Sequence, residues 1–144
     1  MKATAPVPLV AYNFRVVVDN AAMSFSEVSG IEVAYEHVIY RHGLSFWEGE
    51  DIVTFPVNAY SPITLKRGVF LEGSPLFLYE WLKERVFKRL TVQLCDSNGH
   101  AQLLWRVAQA VPVKLSAPTF DANANNVAID VLEVMAKGVS LDRA

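Results

Sequence analysis

The stretch Pro62-Ile63-Thr64-Leu65-Lys66-Arg67-Gly68-Val69-Phe70 decides the predicted fold, because it marks a change from strand to helix. Apolar Ile63, Leu65 and Val69 are separated by polar residues, which predicts a strand with one buried face. The strand is predicted to end at Gly68. A short connection then leads into a helix over about residues 74–86.

This helix is amphipathic and is the single helix that the sequence predicts. Ser74 is placed to cap its start, and Pro75 suits its first position. Its apolar side chains recur at one-turn spacing and are predicted to pack on the sheet. They are Phe77, Leu78, Trp81 and Leu82.

Alternating apolar and polar residues predict strands over most of the remaining chain. The Asn98-Gly99 pair predicts a hairpin turn, and Pro112 and Pro118 bracket a bent or edge segment. We therefore predict a mainly β, barrel-like or sandwich-like fold with one flanking helix, in a single domain over 1–144. Residues 1–9 are predicted to be an extended N-terminal arm. The predicted strands are 10–18, 22–25, 28–41, 88–95, 102–111 and 127–136, with a short last pairing at 139–141.

The composition is apolar for a soluble monomer. Hydrophobic residues make up 52% of the 144 positions and charged residues 19%, whereas charged residues commonly make up about 25%. Either the chain enters a membrane or it buries surface against copies of itself. No apolar run reaches the roughly 20 residues of a membrane helix, and the strands are too few for an outer-membrane barrel. Self-association is therefore favoured over stable membrane insertion.

Charge and cysteine content narrow the possible partners and compartments. The net charge is −2 without a basic run, which does not indicate duplex nucleic acid. Cys95 is the single cysteine, which rules out an intrachain disulfide framework and suits either a reducing compartment or a protein that is indifferent to compartment. No apolar segment of signal-peptide length precedes Pro6 and Pro8, so we do not expect export by the general secretory route.

The segment 42–61 interrupts the strand pattern and is predicted to be a long loop. Loops of about 20 residues without their own structure are uncommon in compact domains and are usually functional. This one either folds back on its own core or packs on a neighbouring subunit, and we favour the neighbour. The candidate contact residues are Phe46, Trp47, Ile52, Val53, Phe55 and Tyr60.

No pattern in the sequence predicts a catalytic, metal or cofactor site. The three histidines, His37, His42 and His100, are scattered, and no cysteine or carboxylate spacing completes a metal site. His100 lies across the predicted hairpin from Cys95 on the polar strand face, but no third group supports a nucleophile. We therefore do not expect an enzyme.

Two glutamates are the remaining candidates for catalysis. Glu32 and Glu36 are predicted to share a strand face about 13 Å apart. That separation is larger than the one usual for paired glycosidase carboxylates. A solvated or channel-facing surface is the better interpretation.

Four strings, in this order around a single helix, resemble one protein family over roughly residues 10–141. The strings are Tyr12-Asn13-Phe14-Arg15-Val16, Phe25-Ser26-Glu27-Val28-Ser29-Gly30-Ile31, Ile63-Thr64-Leu65-Lys66-Arg67-Gly68-Val69 and Ala108-Gln109-Ala110-Val111-Pro112-Val113-Lys114-Leu115. With these strings the chain resembles the tail tube proteins of contractile bacteriophages and of phage-tail-like contractile injection systems.

The resemblance implies a tail tube fold and a structural role without chemistry. Subunits of this family form hexameric rings that stack into a hollow tube inside a contractile sheath. The implied partners are adjacent rings, the sheath, baseplate or spike proteins, and a cargo of DNA or protein effectors. The implied location is the bacterial cytoplasm during synthesis, then a virion or extracellular particle. Candidate lumen-facing residues are Glu32, Glu36, Arg89, Thr91 and Gln93.

One segment departs from the family. Ordinary tube subunits tend to carry a Pro-Gly tip in the loop that contacts the adjacent ring, whereas residues 46–56 lack it here. We infer a variant subunit, such as the ring that joins the main tube to the baseplate or spike. The alternatives are a hexameric tube protein of the type VI secretion class and a monomeric β-sandwich binding module.

Overall fold

The computed structural model describes residues 8–41, 50–56, 59–69 and 75–144. Within these ranges the chain forms nine strands and one helix. The predicted mainly β fold with a single helix is confirmed. The elements are β1 (Phe14–Val18), β2 (Ala21–Met23), β3 (Glu27–Ser29), β4 (Tyr35–Arg41), β5 (Glu50–Pro56), β6 (Ser61–Gly68), α1 (Phe77–Glu84), β7 (Lys88–Cys95), β8 (Ala101–Ser116) and β9 (Ile129–Arg143).

The strands form two separate antiparallel sheets. The larger sheet has seven strands in the order β2-β1-β7-β8-β9-β6-β3, and β4 and β5 form a two-stranded sheet. The long strands β8 and β9 pair with each other along most of their lengths and occupy the centre of the large sheet.

The two halves of the large sheet bury their apolar faces in one core. In the first half, Val16 and Val18 of β1 lie opposite Val92 and Leu90 of β7. In the second half, Ile63 and Leu65 of β6 lie opposite Val134 and Leu132 of β9. Because all of these side chains belong to one cluster, the sheet curls until its halves face each other, as in a barrel or sandwich.

Gly138 is the corner at which β9 passes from one half to the other. Before it, Val134 and Ala136 are buried, whereas after it Val139 packs on the core, so the inward-facing positions change parity. Gly138 has φ +76°, and a Cβ atom there would lie 2.8 Å from the Cβ of Ala108. Glycine therefore permits both the bend and the close approach of β8.

The helix is shorter than predicted. Leu76 is its N-cap residue without a side-chain cap bond, and Arg85 ends it at φ 55°. The prediction that Pro75 occupies the first helical position is wrong, because Pro75 and Leu76 form a turn before the helix. Ser74 lies outside the described residues. The helix packs on β8 and buries Leu78 and Trp81, with Phe77 half-buried against the core.

The predicted continuous strand over 28–41 is wrong. β3 pairs with β6, β4 pairs with β5, and residues 30–34 link them. Gly30 has φ +91° and lies against the carbonyl of Pro62, so the chain leaves the large sheet there. Gly30 therefore marks a complete break between the two sheets.

The predicted long loop over 42–61 is also wrong, because it contains β5. Residues Glu50–Pro56 pair with β4 in a register that places Ile52 opposite Ile39. The β-branched and aromatic residues of this run favour a strand, and Gly49 and Pro56 bound it. Phe46, Trp47 and residues 1–7 of the predicted arm lie outside the described residues.

Three of the strand boundaries that differ from the predicted ones are displaced furthest, because pairing with neighbouring strands overrides local sequence signals. β1 begins at Phe14, since residues 11–12 form a turn. β8 continues through Pro112 to Ser116, whereas its pairing with β7 ends at Ala110. Pro112 therefore interrupts no hydrogen bonds between β8 and β7. The predicted separate pairing at 139–141 is part of β9.

Candidate functional site

The β4–β5 hairpin exposes apolar side chains on both of its faces. Ile52 is 68% exposed and Ile39 is 52% exposed, and the two lie opposite each other. Val38 and Phe55, whose positions alternate with these, are also exposed. Fully burying a fully exposed side chain of this size contributes about 1.5–3 kcal/mol, and covering these partly exposed side chains recovers a fraction of that. An apolar hairpin separate from the main sheet is typical of a contact surface for another protein.

Tyr60 anchors the chain where it returns from the hairpin to β6. Its hydroxyl donates a hydrogen bond to Oε1 of Gln109 at 3.3 Å. Its ring stacks with Phe87 at 6.3 Å between centroids, and the Lys137 ammonium lies 5.5 Å from the ring centre. Tyr60, predicted as a contact candidate, therefore makes contacts within its own chain while remaining 41% exposed.

The two glutamates predicted to share a strand face do not do so. Glu32 lies in the link before β4 and lines a cleft of about 250 Å³ at the root of the hairpin. Glu36 belongs to β4 and lies opposite Phe55 of β5. The predicted same-face pairing is wrong because the strand begins only at Tyr35.

A second surface is formed by the outward positions of four adjacent strands. We call it the polar sheet face. The register places Arg15 of β1 opposite Gln93 of β7, and Thr91 of β7 opposite Arg106 of β8. Alternation places Arg89 on the same side, because Leu90 and Val92 point into the core. The face consists of Arg15, Val17, Arg89, Thr91, Gln93, Leu104, Arg106, Ser140 and Asp142.

The arginines of this face differ in their partners. Nε of Arg106 lies 3.1 Å from Oδ2 of Asp142, and an exposed pair of this kind contributes at most about 1 kcal/mol. Nη2 of Arg15 donates to the carbonyl of Gly99 at 3.3 Å. In the described part of the chain, no carboxylate forms an ion pair with Arg89. The amide oxygen of Gln93 is buried, and no described residue donates a hydrogen bond to it.

The turn between β7 and β8 is organised by Asp96. Its Oδ1 accepts hydrogen bonds from the backbone N–H groups of His100 and Asn98, each at 2.9 Å. The hydrogen bond from the His100 backbone has the largest effect and lowers the pKa of Asp96. Burial opposes it, and the weaker Asn98 bond adds to the lowering. Because the folded pKa is the lower one, this carboxylate stabilises the turn above its unfolded pKa, and the contribution is lost on acidification. Gly99 has φ +82°, which agrees with the predicted hairpin turn.

The prediction that Cys95 lies on the polar strand face is wrong. Its side chain is buried, with 4% exposure. A register shift between Leu94 and Cys95 breaks the alternation and turns the thiol inward. Its Sγ lies 3.7 Å from the carbonyl of Gln93, whereas His100 faces Asp96 in an exposed turn. The thiol and the imidazole therefore have different partners.

An apolar groove that the sequence did not predict lies between the start of β1 and β3. Phe14, Val28 and Trp105 line it, and Tyr12 at its rim is 80% exposed. Its members come from strands far apart in sequence, so periodicity within one strand could not identify it.

Within the described ranges, no cluster of three or more His, Cys, Asp or Glu side chains could hold a metal ion. The helical part of these ranges is too short to provide a membrane-crossing helix.

Comparison with known proteins identifies a family of the same kind as the one the sequence resembles. The model of the family described as T4-like virus tail tube protein gp19 matches residues 10–140. No curated protein sequence matches the chain.

Three solved structures resemble the chain to different extents. A chain in the anti-feeding prophage cap, a tube-terminating cap, has a TM-score of 0.84 and 25% identity over 100% of this chain and 97% of its own. A chain in the PVC sheath–tube complex of an extracellular contractile injection system has a TM-score of 0.79 and 28% identity, covering 95% and 93%. Hcp1 from Flavobacterium johnsoniae shares the fold, with a TM-score of 0.55 and 16% identity, covering 91% and 95%.

Proposed function

The chain belongs to the family of T4-like virus tail tube proteins, and on that premise we propose that its copies form hexameric rings that stack into an inner tube. The contractile sheath surrounds this tube, a baseplate or spike complex holds its end, and cargo occupies its lumen. The subunit acts as a structural wall and performs no chemistry. It is made in the bacterial cytoplasm and becomes part of an extracellular phage-tail-like particle. The sheath–tube complex and the tube cap among its structural relatives support this assignment.

The exposed β4–β5 hairpin is the observation that carries the proposal. Ile39 and Ile52 form an apolar cross-strand pair outside the main sheet. A monomer gains nothing from exposing this pair, whereas a neighbouring subunit that covers it recovers the free energy of burial. In a closed ring each interface joins two different surfaces, so one projecting hairpin per subunit is sufficient.

Replacing Ile39 and Ile52 together by serine tests this role. We expect rings and tubes to disappear from negative-stain images and light scattering to report the mass of the free chain. The strands should survive, because neither side chain belongs to the core cluster. Circular dichroism checks that the β content is retained.

A polar pair on the same hairpin face provides the matched control. His37 and Thr54 lie opposite each other and are exposed. Replacing both with serine should leave assembly intact. Full assembly of the Ile39→Ser/Ile52→Ser chain would contradict the proposed contact, and a wild-type chain that stays monomeric at all concentrations would favour a monomeric binding module.

We further propose that this subunit forms a specialised ring at one end of the tube, such as the ring that meets the baseplate or spike. Two features support a special position. Residues 46–56 lack the Pro-Gly tip of ordinary tube subunits, and a tube-terminating cap is among the similar structures.

Copy number separates an end ring from the tube shaft. Quantitative mass spectrometry of purified particles should find about one ring of this chain per particle, far fewer copies than of the sheath subunit. Copy numbers equal to those of the sheath subunit would place the chain along the whole shaft.

A type VI secretion tube remains the second candidate because Hcp1 shares the fold. Its TM-score and identity are lower than those of the contractile injection structures, so that likeness supports the fold alone. Purification of this chain with a sheath and baseplate in one extracellular particle would favour the first assignment.

A further inference from the structure

The polar sheet face differs from the other exposed surfaces of the subunit. In the described ranges, none of the large exposed apolar side chains lies on it, and Val17 and Leu104 are half-buried. Apolar groups are exposed instead on the hairpin, on the helix side at Tyr79 and on the far half of β8 at Val113. If copies assemble into a tube, the apolar surfaces are the ones that gain from burial, which leaves the polar sheet face for water and cargo.

This face carries an excess of positive charge although the whole chain carries −2. Arg15, Arg89 and Arg106 project from three adjacent strands, and Asp142 pairs with Arg106. Asp19 at the end of the face is held by Lys88 at 3.5 Å and by the backbone N–H of Arg89 at 2.9 Å. Arg15 and Arg89 therefore keep charges that no carboxylate in the described residues neutralises.

The chemistry of the face favours an acidic protein over a nucleic acid. Binding of single-stranded nucleic acid uses aromatic side chains on which bases stack, and the described outward positions contain none. Thr91, Gln93 and Ser140 surround the arginines instead and offer hydrogen bonds to carboxylates. Guanidinium groups spaced on separate strands suit scattered surface carboxylates, and exposed ion pairs are weak enough to be released.

We infer that the polar sheet face lines the lumen and recognises the acidic surface of a protein cargo. This inference rests on the proposed tube function and adds the chemistry of the cargo. Repetition of the face around each ring multiplies weak contacts, so that the cargo is retained collectively while each contact remains reversible. High ionic strength should release such a cargo, because exposed charges are screened.

Assembly in the presence of defined fluorescent polymers tests the inference. Tubes of the full chain are formed with poly-L-glutamate, poly-L-lysine or a single-stranded DNA oligonucleotide, and are then pelleted. The three polymers carry the same number of charges, which are negative on poly-L-glutamate and DNA and positive on poly-L-lysine. We expect poly-L-glutamate to be retained in preference to the other two. The Arg15→Gln/Arg89→Gln chain should retain it roughly tenfold less well while forming normal tubes, because the two arginine charges that no carboxylate in the described residues neutralises are lost from every subunit.

The control variant Lys83→Gln/Lys114→Gln changes the net charge equally but lies on α1 and on the far half of β8. It should retain poly-L-glutamate as the wild type does. Equal loss in both variants, or retention unchanged in the arginine variant, would overturn the inference and leave the tube function standing.

Two further outcomes would also overturn it. Preferential retention of DNA would identify a nucleic-acid conduit. Failure of the arginine variant to assemble, with its fold intact, would make the polar sheet face an interface between subunits or with the sheath. If the wild-type chain forms no rings or tubes under any condition, the proposed function fails, and that result is recognised before any polymer is added.

Discussion

Replacing Trp81 by alanine is expected to lower the free energy of unfolding by about 3–5 kcal/mol, the range for removing a large buried aromatic side chain. Trp81 is 1% exposed and joins α1 to the core of the curled sheet. Its Nε1 also donates a hydrogen bond to the carbonyl of Val86 at 2.9 Å. The substitution therefore leaves a cavity and removes a donor where the chain turns from α1 toward β7. Chemical denaturation followed by circular dichroism measures the loss.

Two control variants separate the components of this effect. Trp81→Phe keeps an aromatic ring beside Phe77 but lacks the N–H group, and it should lose less stability than Trp81→Ala. Phe120 is 86% exposed, so Phe120→Ala should change the unfolding free energy by no more than about 0.5 kcal/mol. A loss below about 1 kcal/mol for Trp81→Ala would mean that the helix does not contribute to the core as described.

Periodicity within one segment correctly predicted the elements whose buried positions follow a regular spacing along that segment. In β7, Leu90 and Val92 are buried and Arg89 is exposed, as alternation predicts. The helix was predicted because the one-turn spacing of Phe77 and Trp81 is a property of a single segment. Such signals require no knowledge of which strand lies beside which.

The misplaced elements depend on contacts between distant segments. From Ile31 onward the sequence alternates, so the prediction joined β3 to β4 across Gly30. The approach of Gly30 to Pro62 shows that the strand breaks there. At Gly138 the core-facing parity of β9 reverses against Ala108, which no pattern within β9 indicates. Cys95 was placed on the wrong face because the irregularity belongs to the pairing of β7 with β8.

The candidate site was also predicted only in part, because residues on one strand could be grouped from the sequence and residues from different strands could not. Arg89, Thr91 and Gln93 share a strand face by alternation, so they were selected together. Arg15 and Arg106 join them only through the register of β1 and β8 with β7. The apolar character of residues 52–55 was recognised, but their pairing with β4 was not, because Gly49 and Pro56 suggested a loop.

Replacing Gly30 by alanine is expected to disturb assembly more than a glycine-to-alanine substitution at any other described position. Gly30 has φ +91°, and a Cβ atom there would lie 2.7 Å from the carbonyl oxygen of Pro62. That oxygen belongs to the backbone of β6, so the clash cannot be relieved by a side-chain rotation. The chain must move away from β6 at the point where it leaves β3 for the hairpin. We therefore expect a loss of stability together with misdirected hairpins and few rings, measured by chemical denaturation and negative-stain imaging.

Gly99→Ala separates this clash from the backbone strain. Gly99 has φ +82°, but a Cβ atom there would meet nothing within 4 Å. Its substitution should therefore cost only the strain of a left-handed alanine, about 1–2 kcal/mol, and should leave ring formation unchanged. The excess loss in Gly30→Ala then measures the contact with Pro62, and the loss of rings measures how far the hairpin direction depends on it. Equal stability losses and normal rings in both variants would show that the Gly30–Pro62 contact does not direct the hairpin.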